Sequence, residues 1–145
     1  MEQKPFYLLY KGKCSQSILA EANGVNKGVL LVDDDKEILY CYRMLLEDED
    51  IDVYSACNAK EAMDILRDLD VDVAILDYML PNCKGDRLAQ LINEEYPDVV
   101  IFMVSGIYDV NEAVEKLGIR VKEVFKKPVD PHVLEKIILS ECQIA

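Results

Sequence analysis

The sequence predicts an α/β fold: a doubly wound, five-stranded parallel sheet, order 2-1-3-4-5, with five helices. Three observations predict it. Val29–Val32, Val73–Leu76 and Val99–Val104 are continuous apolar runs, the pattern of strands covered on both faces. Between them lie segments whose apolar residues recur at helical spacing, and this alternation builds a parallel sheet with helices on both sides. Five strand–helix units occupy about 115 residues, roughly half of what an eight-stranded barrel requires.

The first strand, Val29–Val32, runs into Asp33, Asp34 and Asp35. Asp35 is placed to cap a helix over Lys36–Glu49, which sets Ile38, Leu39, Tyr42, Leu45 and Leu46 on one side. Ile51–Ser55 reads as a short strand, and Asn58 caps a helix that turns Ala62, Ile65, Leu66 and Leu69 inward. Val73–Leu76 ends on Asp77, and "LPNCKG" follows as a loop. Asp86–Tyr96 is a helix with Leu88, Leu91 and Ile92 inward, stopped before Pro97. Val99–Val104 ends on Ser105-Gly106, and Asp109–Leu117 is a helix closed by Gly118. Val121–Phe125 is the last strand, followed by Lys127-Pro128. Pro131–Cys142 is a final amphipathic helix with Val133, Leu134, Ile137 and Ile138 on one side. Residues 1–27 stand outside this pattern, so the chain divides into an N-terminal extension or linker (1–27) and one domain (28–145).

Charge and composition narrow the function. The 145 residues carry a net charge of −12. Residues 1–27 hold four Lys and two Glu, so the rest of the chain carries −14. Such a body repels a phosphate backbone, which argues against direct nucleic-acid binding. No apolar run approaches the roughly 20 residues of a membrane helix. "PFYLLYKGK" is too short in apolar residues for a secretory segment of about 7–15. The expected location is cytoplasmic. Five cysteines without a CxxC and a single histidine, His132, signal neither a disulfide framework nor a zinc site. Most of the cysteines are expected to be small buried hydrophobes, with Cys83 in a loop.

Sites in open α/β sheets form beyond the carboxyl ends of the strands. Here those ends carry Asp33-Asp34, Asp77, Ser105 and Lys126-Lys127-Pro128. In the order 2-1-3-4-5 the first and third strands are neighbours, so three carboxylates meet with a hydroxyl and an ammonium beside them. Carboxylates gathered in one cleft repel one another unless a cation sits among them. All-oxygen donors suit a hard ion such as Mg²⁺. A site of this kind is prepared for phosphoryl transfer, with an aspartate as acceptor. Each residue alone has a plainer reading: a loop acid, a turn aspartate, a turn serine or a surface lysine. Lys126 and Lys127 are ambiguous as a doublet, and the Pro after Lys127 favours that one.

"VLLVDDDKE", "VAILDYMLPNCKG", "VIFMVSG" and "VFKKP" together resemble the four motif blocks of response-regulator receiver domains of two-component signalling. The order agrees, as do the separations of 44 residues from Asp33 to Asp77 and 50 from Asp77 to Lys127. The resemblance covers Gly28 to Cys142 and implies a flavodoxin-like, chemotaxis-regulator-like fold. It implies Asp77 as phosphoacceptor, and Asp33, Asp34 and Asp77 with the Met79 backbone carbonyl as the Mg²⁺ site. It further implies Ser105 and Lys127 as the switch and catalytic pair, and Pro128 as the proline of a cis Lys-Pro bond. Asp35 is then the helix cap and no ligand. The expected function is Mg²⁺-dependent transfer of a phosphoryl group to Asp77, switching the face made by the fourth helix, fifth strand and fifth helix. The domain is regulatory, assisting its own phosphorylation and dephosphorylation. The implied partner is a sensor histidine kinase or histidine phosphotransfer protein, and a homodimer stays open.

Two further expectations follow. Val124 stands where the family often has an aromatic switch residue, three positions before the lysine, and Phe125 comes one residue later. Alternation sends them to opposite faces unless a bulge intervenes. Met79 and Ile107, each two residues past a site residue, border the path of an attacking water in the family. Both are bulky and apolar, so self-dephosphorylation should be slow. A competing enzyme reading takes Asp33-x-Asp35 as the start of a haloacid-dehalogenase-like phosphatase motif, but Glu37 stands where Thr or Val is expected. A receiver-like module that binds partners without phosphorylation is a third reading, opposed by the complete acidic set.

Overall fold

The computed structural model of the chain describes residues 26–47, 50–106 and 110–142. They form β1 (Lys27–Val32), α1 (Lys36–Leu46), β2 (Ile51–Ala56), α2 (Ala59–Asp68), β3 (Val73–Asp77), α3 (Gly85–Glu95), β4 (Val100–Ser105), α4 (Val110–Leu117), β5 (Glu123–Lys126) and α5 (Pro131–Glu141). All four strand pairings are parallel, and the order is β2-β1-β3-β4-β5. This is the predicted sheet with five helices. Most of the expected extension, residues 1–25, lies outside the described residues. The sheet itself starts at Lys27.

Period-two alternation splits the strands between two cores. Leu30, Val32, Ala74, Leu76, Ile101 and Met103 pack with Ala62, Ile65 and Leu66 of α2 and Leu88, Ala89 and Ile92 of α3. On the other face Val29, Leu31, Val73, Ile75, Phe102 and Val104 pack with Leu39 and Leu46 of α1 and Leu134 and Ile138 of α5. Every central strand is therefore apolar on both sides, which is why it reads as an unbroken run. Each fully buried Leu, Ile or Phe contributes about 1.5–3 kcal/mol through area removed from water.

The helices begin and stop where local chemistry dictates. The Asp35 carboxylate accepts from Glu37 N and Ile38 N, and Asn58 Oδ1 accepts from Glu61 N, so both predicted caps form. Asp130 caps α5 by accepting from His132 N, with Pro131 in the first turn. Gly118 closes α4 at φ +64°, with Gly118 N donating to Glu115 O and Ile119 N to Val114 O.

Several expectations need correction. α1 ends at Leu46, short of Glu49, because Glu47 leaves helical backbone (ψ 117°). α3 starts at Gly85, one residue early. β5 spans only Glu123–Lys126; Val121 packs against the core without joining the ladder. Val133 is 46% exposed, so the apolar stripe of α5 narrows to Leu134, Ile137 and Ile138. The cysteines are mostly not core: Cys142 is buried, Cys57 and Cys83 are half-buried and Cys41 is exposed. Cys14 falls outside the described residues. Among these residues no helix is long and apolar enough to cross a membrane.

Candidate functional site

The parallel register carries the polar strand ends to one edge of the sheet. Val32 pairs with Leu76, Asp77 with Val104, and Ser105 with Lys126. Asp33 is the first residue beyond β1, and its N–H donates to Ala56 O at 3.1 Å, which ties it to β2. Its side chain turns inward and is buried, while Asp34 and Asp35 are exposed. Asp33 Oδ1 accepts from Asp35 N at 2.9 Å. Asp77 ends β3, is 4% exposed, and its Oδ1 accepts from Met79 N at 3.1 Å. Asp33, Asp34 and Asp77 each offer a carboxylate oxygen, all within 4.8 Å of one another.

Among the described residues one cation is paired with them. Lys127 Nζ lies 3.1 Å from Asp77 Oδ2 and 3.4 Å from Asp33 Oδ2. Its backbone N–H donates to Ser105 O at 2.8 Å, which anchors the lysine to the end of β4. The Lys127-Pro128 bond is cis. Lys127 is the member of the doublet that meets the acids, and Lys126 is exposed. Ser105 is buried at the end of β4, beside the strand that carries Asp77. Met79 is 53% exposed next to the acids, whereas Ile107 lies outside the described residues.

Electrostatics follow from this crowding. Burial pushes the Asp33 carboxyl above its ordinary value, and the Asp77 charge adds to the rise; the Asp35 N–H and Lys127 oppose it. Burial alone would lower Lys127, but the hydrogen bond to Asp77 and the two carboxylate charges outweigh it and hold the ammonium above its usual range. Three acids against one lysine leave the cluster net negative. Clustered oxygen donors with an uncompensated charge suit a hard divalent cation.

Two other expectations are answered here. Asp35 is occupied in capping α1, so the second carboxylate of a D-x-D phosphatase pair is absent from the cluster. The β4–β5 register runs without a bulge, Met103 opposite Val124 and Val104 opposite Phe125. Val124 therefore packs on the α2–α3 side, and Phe125 packs on the α1–α5 side, its ring centroid 5.9 Å from that of Phe102.

Two contributors escaped sequence reasoning. Gly85 N–H donates to Tyr78 O at 2.8 Å, and the glycine lies against the backbone of Asp77 and Tyr78. Tyr42, read only as a core position of α1, lines a small cavity with Asp33 and Asp77. A glycine opening a helix after a loop was the available signal for the first. For the second there was none, since spacing alone does not tell a phenol from a leucine.

Residues 29–139 match the model of the response regulator receiver domain family. This chain belongs to that family. The receiver domain is 30% identical over 116 residues to the regulatory protein VanR of Enterococcus faecium, covering 80% of this chain and 49% of that protein. It is 28% identical over 120 residues to the response regulator GtcR of Aneurinibacillus migulanus, covering 83% and 48%. The chain thus spans about half the length of the curated relatives it matches. Among solved structures, a CheY-like receiver domain protein from Methanospirillum hungatei superposes with TM-score 0.72 at 30% identity, covering 80% of this chain and 94% of that one. The receiver domain is a regulatory module of two-component signalling.

Proposed function

We propose that Asp77 of this receiver domain accepts a phosphoryl group from a phosphohistidine, on a sensor histidine kinase or a histidine phosphotransfer protein, in a Mg²⁺-dependent reaction. The observation that carries this reading is the gathering of Asp33, Asp34 and Asp77 within 4.8 Å of one another, with the Lys127 ammonium against Asp33 and Asp77. Asp33, Asp34 and Asp77, with the Met79 carbonyl, would hold the ion. The chemistry such an ion supplies is stabilisation of charge on the phosphoryl oxygens.

The chain's own groups do the rest. A carboxylate oxygen of Asp77 forms the new bond to phosphorus as the bond to the donor imidazole breaks, giving an acyl phosphate and a neutral histidine. Asp77 Oδ1 is already oriented by Met79 N–H, which fixes the direction of attack. Lys127 stands at the other oxygen of Asp77, within reach of the incoming phosphoryl oxygens. Ser105 then turns its hydroxyl to the phosphoryl group and shifts the population of the α4–β5–α5 face. Met79 stands in the path of a hydrolytic water, which keeps the acyl phosphate long-lived.

The module is a switch rather than a turnover enzyme. We read 28–145 as the receiver and 1–27 as an extension or linker, working in the cytoplasm. The net charge of −14 over residues 28–145 disfavours direct contact with nucleic acid. The test is incubation with Mg²⁺ and a small phosphodonor followed by intact mass. A gain of one phosphoryl group that Asp77→Asn lacks is expected; no gain in the wild type, or an equal gain in Asp77→Asn, contradicts the assignment.

A further inference from the structure

A groove of about 320 Å³ lies at the end of the sheet opposite the acid cluster, where β3 and β4 begin and α2 and α3 end. Its floor is apolar, with Leu69, Val71 and Tyr96 half-buried. Its rim is acidic, with Asp70, Glu95 and Asp98 exposed. Two helix C-termini converge on it, at Asp68 and Glu95, and each adds the partial negative charge of its free carbonyls. Nearby cations do not neutralise this rim. Arg67 pairs with Asp64 and Asp68, and the last turn of α3 holds no basic residue. The Arg120 guanidinium donates to Pro97 O at 3.4 Å, not to a rim acid. Among the described residues Asp70, Glu95 and Asp98 make no ion pair. An apolar floor ringed by uncompensated acids suits an apolar segment that carries cations.

The chain itself contains such a segment. β1 starts beside the groove: Asp70 O lies against Gly28, whose N–H donates to the Asp72 carboxylate at 2.8 Å. Residues 1–25 precede this point. They include "KPFYLLYKGK" (4–13), in which the apolar run Phe6–Tyr10 stands between Lys4 and the pair Lys11 and Lys13. Residues 1–27 carry +2 against −14 for the remainder, so the charge of this segment is opposite to that of the rim. Residues 14–25 can span roughly 40 Å when extended, which is ample reach from the start of β1 to the groove.

We propose that residues 4–13 of this chain dock in the groove between the ends of α2 and α3, with Phe6–Tyr10 on the apolar floor and Lys4, Lys11 and Lys13 against Asp70, Glu95 and Asp98. The inference uses neither Asp77 nor the metal, so it stands or falls apart from the phosphoryl-transfer reading.

The test is zero-length carbodiimide cross-linking of the full chain at micromolar concentration, with unlabelled and isotope-labelled protein mixed and the links mapped by peptide mass. Links within one copy from Lys4, Lys11 or Lys13 to Asp70, Glu95 or Asp98 are expected. They should exceed links from the same lysines to Glu37, an exposed acid at the far end of the sheet, by roughly tenfold, through the high effective concentration of a docked segment. Asp98→Lys, at an exposed rim position, should cut the links to Asp70 and Glu95 severalfold with the melting temperature held. Glu37→Lys, the same charge change at the far end, should leave them unchanged. Rim links no more frequent than links to Glu37 overturn the inference. Links only between labelled and unlabelled copies overturn it too and give the groove to a second copy. Equal rim links in wild type and Asp98→Lys, or an equal drop in both variants, remove the charge pairing and overturn it as well.

Discussion

Gly85 packs so tightly beneath Asp77 that a Cβ built on it would stand 2.5 Å from the Asp77 carbonyl oxygen. It would stand 2.7 Å from Tyr78 Cα as well. Both are backbone atoms, so no flexible side chain can give way. Gly85→Ala must displace the end of β3 or the first turn of α3. The expected cost is about 1–3 kcal/mol, as for other overpacked sites. Because the displaced segment carries Asp77, phosphoryl gain should fall as well. Melting temperature and intact mass read the two effects; a variant unchanged in both would show that the loop relaxes freely and does not position the acid.

Lys127→Met removes the cation between Asp33 and Asp77 while keeping much of the stem. The two buried acids then face each other uncompensated, and the metal-free protein should melt lower. Removing a positive charge beside a cation site should also tighten Mg²⁺ binding severalfold. Phosphoryl gain should nonetheless slow, because the charge that met the phosphoryl oxygens is gone. Calorimetry separates these outcomes: weaker Mg²⁺ binding in Lys127→Met would contradict the assigned role.

Val124 and Phe125 lie on opposite faces of β5. Phe125 stacks near Phe102 on the α1–α5 side, away from the face that holds Val124. Phe125→Ala should therefore cost about 2–3 kcal/mol of stability, below the 3–5 of a fully buried phenylalanine, and leave phosphoryl gain intact. Denaturant unfolding and intact mass check the pair. Loss of phosphoryl gain without loss of stability would mean that the coupling runs through Phe125 after all.

Burial holds the Cys142 thiol up at about 11, with Asp72 adding to the rise. An unfolded cysteine thiol ionises near 9.0, so between these values the unfolded state has lost a proton that the native state keeps. Stability should fall as pH rises through that window, by about 1.4 kcal/mol per unit at most. Lysines and tyrosines titrate in the same range, so the readout is the difference between wild type and Cys142→Ala. The gap between the two should close as pH rises from 9 to 11. A constant gap would show that the thiol ionises equally in both states.

Much of this was legible in the sequence. Apolar runs ending on acids predicted the central strands, because strands buried on both faces cannot alternate. Asp35 and Asn58 announced helix starts, since a capping side chain bonds locally and needs no tertiary context. Gly85 was legible only as a glycine that opens a helix, for the opposite reason: its role depends on what the end of β3 places against it. The length of β5 was hidden because Val121 is apolar through packing and not through pairing. Val133 lies on the expected stripe, but only the inner part of that stripe meets the sheet. The cysteines misled because apolar character alone does not decide depth on an amphipathic helix such as α1.

The central claim is that Asp77, and no other group at the cluster, takes the phosphoryl group. The most direct measurement is chemical trapping. The protein is incubated with Mg²⁺ and a small phosphodonor, the acyl phosphate is reduced with borohydride to homoserine, and the product is mapped by peptide mass. The account predicts a single conversion at residue 77, lost when Mg²⁺ is chelated. Conversion at residue 33 or 34, or a stable phosphate ester on Ser105 in its place, would contradict it.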